Sequence, residues 1–95
     1  MLEITPGPGG ELAFKGRFDA SQVERAQAAL LAPGAGTTLD FKDLDYISSA
    51  GLGILLAVQK ALAGRKLALR LLHLSPPIRD VFKFSGFDQI FEIVP

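Results

Sequence analysis

Residues 37–56 read Thr-Thr-Leu-Asp-Phe-Lys-Asp-Leu-Asp-Tyr-Ile-Ser-Ser-Ala-Gly-Leu-Gly-Ile-Leu-Leu. Four of the first five are β-branched or apolar, with Leu39 and Phe41 on one side, and they predict a strand over Thr37–Phe41. Asp40, Asp43 and Asp45 then surround the strand's end, where aspartate commonly forms turns. From Ser49, the residues Leu52, Leu55, Leu56, Val58 and Leu62 recur at helical spacing. They predict a helix over Ser49–Ala63, closed by Gly64 and the basic pair Arg65 and Lys66. A strand leading directly into an almost wholly apolar helix is half of a parallel crossover unit, and this decides the fold class.

Upstream, Leu2 and Ile4 alternate with polar residues, Pro6–Gly10 forms a turn, and Leu12 and Phe14 resume the alternation up to Gly16. This is an N-terminal hairpin. Its glycines lie between two strands and not between a strand and a helix, which argues against a phosphate-binding loop. Ser21 and Glu24 have capping-box spacing, and Val23, Ala26 and Leu30 follow at helical spacing. They predict a helix over Ser21–Ala32, ended by Pro33, Gly34 and Gly36. Downstream, Leu67–Leu72 reads as a strand covered by helices. Ser75, Pro76 and Pro77 start a third helix with Ile78, Val81 and Phe82 on its apolar face. Ser85 and Gly86 end it, and Ile90–Val94 closes the chain as a strand. The order ββαβαβαβ implies right-handed crossovers and an α/β fold, with a mixed, mostly parallel sheet whose first hairpin supplies an antiparallel strand.

Composition narrows the chemistry. The 95 residues suit a single domain over residues 1–95, and they carry no cysteine and one histidine, His73. That removes thiol nucleophiles and the zinc sites that need several soft ligands. Ten basic residues balance ten acidic ones, so the chain lacks the surplus of positive charge that nucleic-acid binders use against phosphates. The uninterrupted apolar run Ala50–Val58 is far shorter than the roughly 20 residues that span a bilayer, so no membrane role is expected. The opening residues lack the basic start and apolar core of an export signal, which makes the cytoplasm the expected compartment. No base and nucleophile pair is visible. His73 reads as a strand-end residue, and Asp40, Asp43 and Asp45 match no calcium-loop spacing.

One junction stands out. Gly51 and Gly53 sit in the opening turns of an otherwise good helix, where alanine is better by about 1 kcal/mol at an interior position. Three readings account for them: close packing of the helix on the sheet, tolerance of glycine near a helix start, or close approach by a partner. Ser48 and Ser49 place hydroxyls where free N–H groups and the positive end of the helix dipole favour an anion, including an attached phosphate. The alternative for a serine there is simple N-capping.

This segment resembles the signature of STAS domains, specifically of bacterial anti-sigma factor antagonists. Phe14–Asp19 resembles the family's strand-Gly-x-x-Asp junction, and Leu74–Pro77 with Phe84–Phe87 resembles its third helix and closing turn. The resemblance implies a non-enzymatic protein without a cofactor or metal of its own. Its unmodified form would bind an anti-sigma factor that is also a serine kinase, release a sigma factor, and be switched off by phosphorylation. A PP2C-type phosphatase would reset it, and ATP with its magnesium would belong to the kinase. Anchoring on Gly51-Leu52-Gly53 maps the phosphoacceptor onto Ser49, with Ser48 as second choice. The family often has aspartate before the acceptor and serine or threonine after it, whereas this chain has Ser48 and Ala50. Asp19 matches an acidic position beside the acceptor, and Asp40 the aspartate ending the preceding strand. The implied partner surface comprises Asp19, Ser48, Ala50, Gly51, Leu52 and Gly53. Two other functions fit the same residues: a scaffold or regulator in a stressosome or transport complex, independent of phosphorylation, and a small nucleotide- or anion-binding module.

Overall fold

The computed structural model of the protein describes residues 2–32, 34 and 36–94. Strands β1 (Leu2–Pro6) and β2 (Leu12–Phe18) pair antiparallel, joined by a turn in which the Gly7 N–H donates to the Glu11 carbonyl at 2.7 Å. The strands β3 (Thr38–Ile47), β4 (Arg70–Leu72) and β5 (Glu92–Ile93) follow β2 in parallel, giving a five-stranded sheet in the order β1-β2-β3-β4-β5. The helices α1 (Val23–Leu31), α2 (Ser49–Ala63) and α3 (Pro76–Phe84) form the crossovers. Each crossover advances one strand in the same direction, so right-handed connections put all three helices on one face.

That face holds the core. Phe14 and Phe18 of β2, Phe41 of β3, Phe82 of α3 and Phe91 before β5 form a chain of aromatic contacts across it, with successive centroids 5.4–6.5 Å apart. Leu55 and Val58 of α2 close over them and are fully buried. The opposite face carries Lys15, Arg17, Asp43, Tyr46, Arg70 and Glu92, all exposed, with Arg70 and Glu92 paired at 2.8 Å. β4 is therefore covered by helices on one face only.

Several boundaries differ from expectation. β3 is ten residues long and not five, because its pairing with β2 shifts register twice: Ala13 and Lys15 oppose Asp40 and Asp43, and Gly16 and Arg17 oppose Leu44 and Tyr46. Each shift inserts one extra residue, a β-bulge. The buried positions Phe41, Leu44 and Ile47 thus recur every three residues, which hides the strand from a period-two search. Asp43 and Asp45 are exposed strand residues, not turn formers, and Asp40 lies near the start of β3 and not at its end. The first helix opens as a 3-10 turn over Ala20–Gln22, and its capping box uses Asp19 and Gln22 in place of Ser21 and Glu24. Pro33 lies outside the described residues. After α2 the left-handed position is Lys66 (φ 60°) and not Gly64, and the Leu67 N–H returns to the Leu62 carbonyl at 2.8 Å. That turn delays β4 to Arg70. The closing strand shrinks to Glu92–Ile93 because Phe87–Gln89 forms a second 3-10 turn.

Candidate functional site

The ends of β2 and β3 converge on the start of α2. The Ser48 N–H donates to the Phe18 carbonyl at 2.9 Å, which joins the last residue of β2 to the residue that caps α2. Ser48 is the N-cap: its hydroxyl accepts from the Gly51 N–H at 3.2 Å, and its carbonyl accepts from the Leu52 N–H at 2.9 Å. Ser49 is the first helical residue and is exposed. Its hydroxyl makes no hydrogen bond among the described residues, and the Ser49 and Ala50 N–H groups, in the first turn, have no intrahelical acceptor. The two adjacent serines are thus chemically unlike: one hydroxyl is committed to the backbone and the other is available.

The two glycines are equally unlike. A Cβ on Gly51 would lie 3.0 Å from Ile47 Cγ1, 3.1 Å from the Phe18 carbonyl oxygen and 3.2 Å from Phe18 Cγ. Gly51 therefore lets α2 press against the strand ends, which is the packing reading. A Cβ on Gly53 would meet nothing within 4 Å, and the residue is exposed. Packing within the chain does not account for Gly53. Leu52 is 8% exposed and belongs to the core, so Ser49, Ala50 and Gly53 are the more accessible parts of this turn.

Asp19 stands beside this corner, at the end of β2. Its carboxylate accepts from the Ser21 hydroxyl at 2.7 Å and the Ser21 N–H at 3.0 Å, while the Gln22 side chain accepts from the Asp19 N–H at 2.9 Å. The Ser21 hydroxyl, and then the Ser21 N–H, hold its carboxyl below the usual aspartate value. Asp40 lies elsewhere, on the exposed sheet face. It bonds His73 Nδ1 at 3.0 Å and accepts from the Lys42 N–H at 2.9 Å. Burial opposes its ionisation, but the Lys42 N–H and His73 outweigh burial and keep its carboxyl below the usual value. His73 takes a left-handed φ of 58°, just past β4. No group of three metal-ligating side chains is gathered among the described residues. One arrangement escaped the sequence reading: the Arg17 guanidinium lies over the Tyr46 ring, 4.2 Å from its centroid. The double bulge brings these residues opposite each other, so only the true register of β3 would have found them.

Residues 6–95 match the family model described as "Mlab, STAS domain". The chain belongs to the STAS-domain family. Among relatives of this STAS domain, BtrV of Bordetella bronchiseptica, named as an anti-sigma factor antagonist, is 43% identical over 76 residues. That match covers 79% of this chain and 66% of BtrV, so the chain spans just under two thirds of that relative's length. The Bacillus cell fate determinant SpoIIAA, solved in its phosphorylated form, superposes with a TM-score of 0.66 at 25% identity, covering all of this chain and 92% of that one. An anti-sigma factor antagonist from Mycobacterium paratuberculosis has a TM-score of 0.78 at 21% identity, over all of this chain and 85% of its own, and shows the shared fold. The antiparallel first hairpin, the parallel strands and the three crossover helices are therefore those of the STAS fold. No described helix is long and apolar enough to cross a membrane.

Proposed function

We propose that this STAS domain is an anti-sigma factor antagonist in which Ser49 is the phosphoacceptor. Its unmodified α2 start binds an anti-sigma factor that is also a serine kinase. The observation that carries the reading is the contrast between the two serines: the Ser48 hydroxyl caps α2, whereas the Ser49 hydroxyl is exposed and has no partner among the described residues. The open space at Gly53 and the half-buried Ala50 leave room for a kinase active site to approach. The name of BtrV supports the antagonist role, and the phosphorylated form of Bacillus SpoIIAA supports phosphorylation as the switch.

In this reading the chain is a substrate and supplies no catalytic group. The Ser49 oxygen attacks the γ-phosphorus of ATP, its proton passes to a base on the kinase, and ADP leaves. Phosphate adds about 1.5 to 2 negative charges at a helix N-terminus whose free N–H groups and dipole stabilise anions. The fold stays intact, and the partner is expelled by the charge placed in the interface. A phosphatase of the PP2C type restores binding, and the domain acts in the cytoplasm. Incubation with the partner kinase and ATP, followed by mass spectrometry, tests the assignment. Phosphate appears on Ser49, and Ser49→Ala is not labelled; phosphate on Ser48 in the wild type would displace the proposal.

A further inference from the structure

Arg17 and Tyr46 lie on the helix-free face at the ends of β2 and β3, directly opposite each other in the sheet. Phe18, which follows Arg17, holds the Ser48 N–H through its carbonyl at 2.9 Å, so Arg17 is one residue from the strand end that touches the start of α2. Tyr46 precedes Ser49 by three residues and remains 39% exposed although a guanidinium covers part of its ring. Other charged groups near this corner are poorly placed to meet a new anion. Asp19 and Asp45 are acidic, and the Asp19 carboxylate already binds Ser21. Lys15 lies further back on β2, opposite Asp43. On α1, which packs against α2, Glu24 is acidic and Arg25 donates to the Leu2 carbonyl. The 3-10 turn Ala20–Gln22 has no charge, and α2 has none before Lys60.

We propose that Arg17 is the internal counter-ion of the phosphorylated switch: it rests on Tyr46 in the unmodified protein and moves to the phosphate once Ser49 is modified. This rests on the reading of Ser49 as acceptor. An exposed cation–π contact is weak beside a charge-assisted, bidentate contact with a doubly charged phosphate, so the exchange favours the phosphate. It also uncovers the Tyr46 ring, so that phosphorylation alters the sheet face as well as the helix start. A partner would then sense two changes, a charge on α2 and a bared aromatic ring on β3.

The test installs phosphoserine at position 49 during translation, so its result does not depend on which serine a kinase selects. Phosphorus NMR gives the second pKa of the phosphate, and proton NMR follows the Arg17 side-chain methylenes, which feel the ring current of Tyr46 while stacked. Tyr46 is the only tyrosine and the chain has no tryptophan, so its fluorescence gives a clean third signal. The phosphate pKa is expected to be lower in the wild type than in Arg17→Gln by about half a unit or more, with Arg17→Lys between them. The ring-current shift of Arg17 should disappear on phosphorylation. Equal phosphate pKa values in wild type and Arg17→Gln overturn the proposal. So does a lowered pKa with Arg17 still stacked on Tyr46, which leaves only electrostatics at a distance.

Discussion

Gly51→Ala and Gly53→Ala are the same chemical change two residues apart, and the structure predicts opposite results. In a helix interior, alanine is favoured over glycine by about 0.8–1 kcal/mol. At Gly53 the new methyl meets nothing within 4 Å, so most of that gain should appear as stability. At Gly51 the methyl would sit 3.0 Å from Ile47 Cγ1 and 3.1 Å from the Phe18 carbonyl oxygen, inside ordinary contact distance. The carbonyl cannot simply retreat, because it accepts from the Ser48 N–H at 2.9 Å and so fixes the start of α2 to β2. Overpacking of this kind costs about 1–3 kcal/mol. After the propensity gain, Gly51→Ala should be destabilised by up to about 2 kcal/mol, and the two variants should differ by about 1–3 kcal/mol. For a domain of this size each kcal/mol moves Tm by about 4–8 °C, so thermal and urea unfolding followed by circular dichroism resolve the difference easily. Equal stability of the two variants would refute the argument that Gly51 exists for close packing and Gly53 does not.

Ser48→Ala should lose about 0.5–2 kcal/mol in urea unfolding as the cap of α2 disappears, whereas Ser49→Ala should stay within about 0.5 kcal/mol of wild type. Phe82→Ala should cost about 3–5 kcal/mol because its ring is fully buried between Phe41 and Phe91, while Phe84→Ala, at a site 85% exposed, should be nearly neutral. The lowered carboxyl of Asp40 stabilises the fold above its unfolded value near 3.8, and this contribution is lost as pH falls through the still lower folded value. Asp40→Asn should accordingly be less stable than wild type at pH 5 to 6, with the gap closing below about pH 4; a gap that widens on acidification would contradict the linkage.

Much of this architecture was legible because α2 and α3 carry clear signals of their extent. Ser75 with Pro76 and Pro77 opens α3, Ser85 and Gly86 end it, and the α2 span Ser49–Ala63 follows from its apolar run. The mixed sheet followed from helices alternating with the later strands. What escaped was the interior of β3, where two bulges replace alternation by a buried residue every third position. Bulges depend on the partner strand, which local periodicity does not record. The same blindness hid the Arg17–Tyr46 pair, since the two residues are distant in sequence and meet only through that shifted register. The first capping box was misplaced because Asp19 and Gln22 satisfy the same spacing two residues earlier than Ser21 and Glu24. At the site, both serines and both glycines were visible in the sequence, but their separate duties were not. A capping hydroxyl and a free one differ only by a hydrogen bond, and a packed glycine differs from an open one only by what surrounds it.

The most direct test uses unphosphorylated wild type and Ser49→Asp as paired baits in lysate of the source organism, with bound proteins identified by mass spectrometry. The account predicts that a serine kinase with an ATP site is retained by wild type and lost with Ser49→Asp, although Ser49→Asp unfolds at no lower urea concentration than wild type. Retention of the same partners by both baits would contradict a switch at Ser49 and assign this STAS domain a role that phosphorylation there does not control.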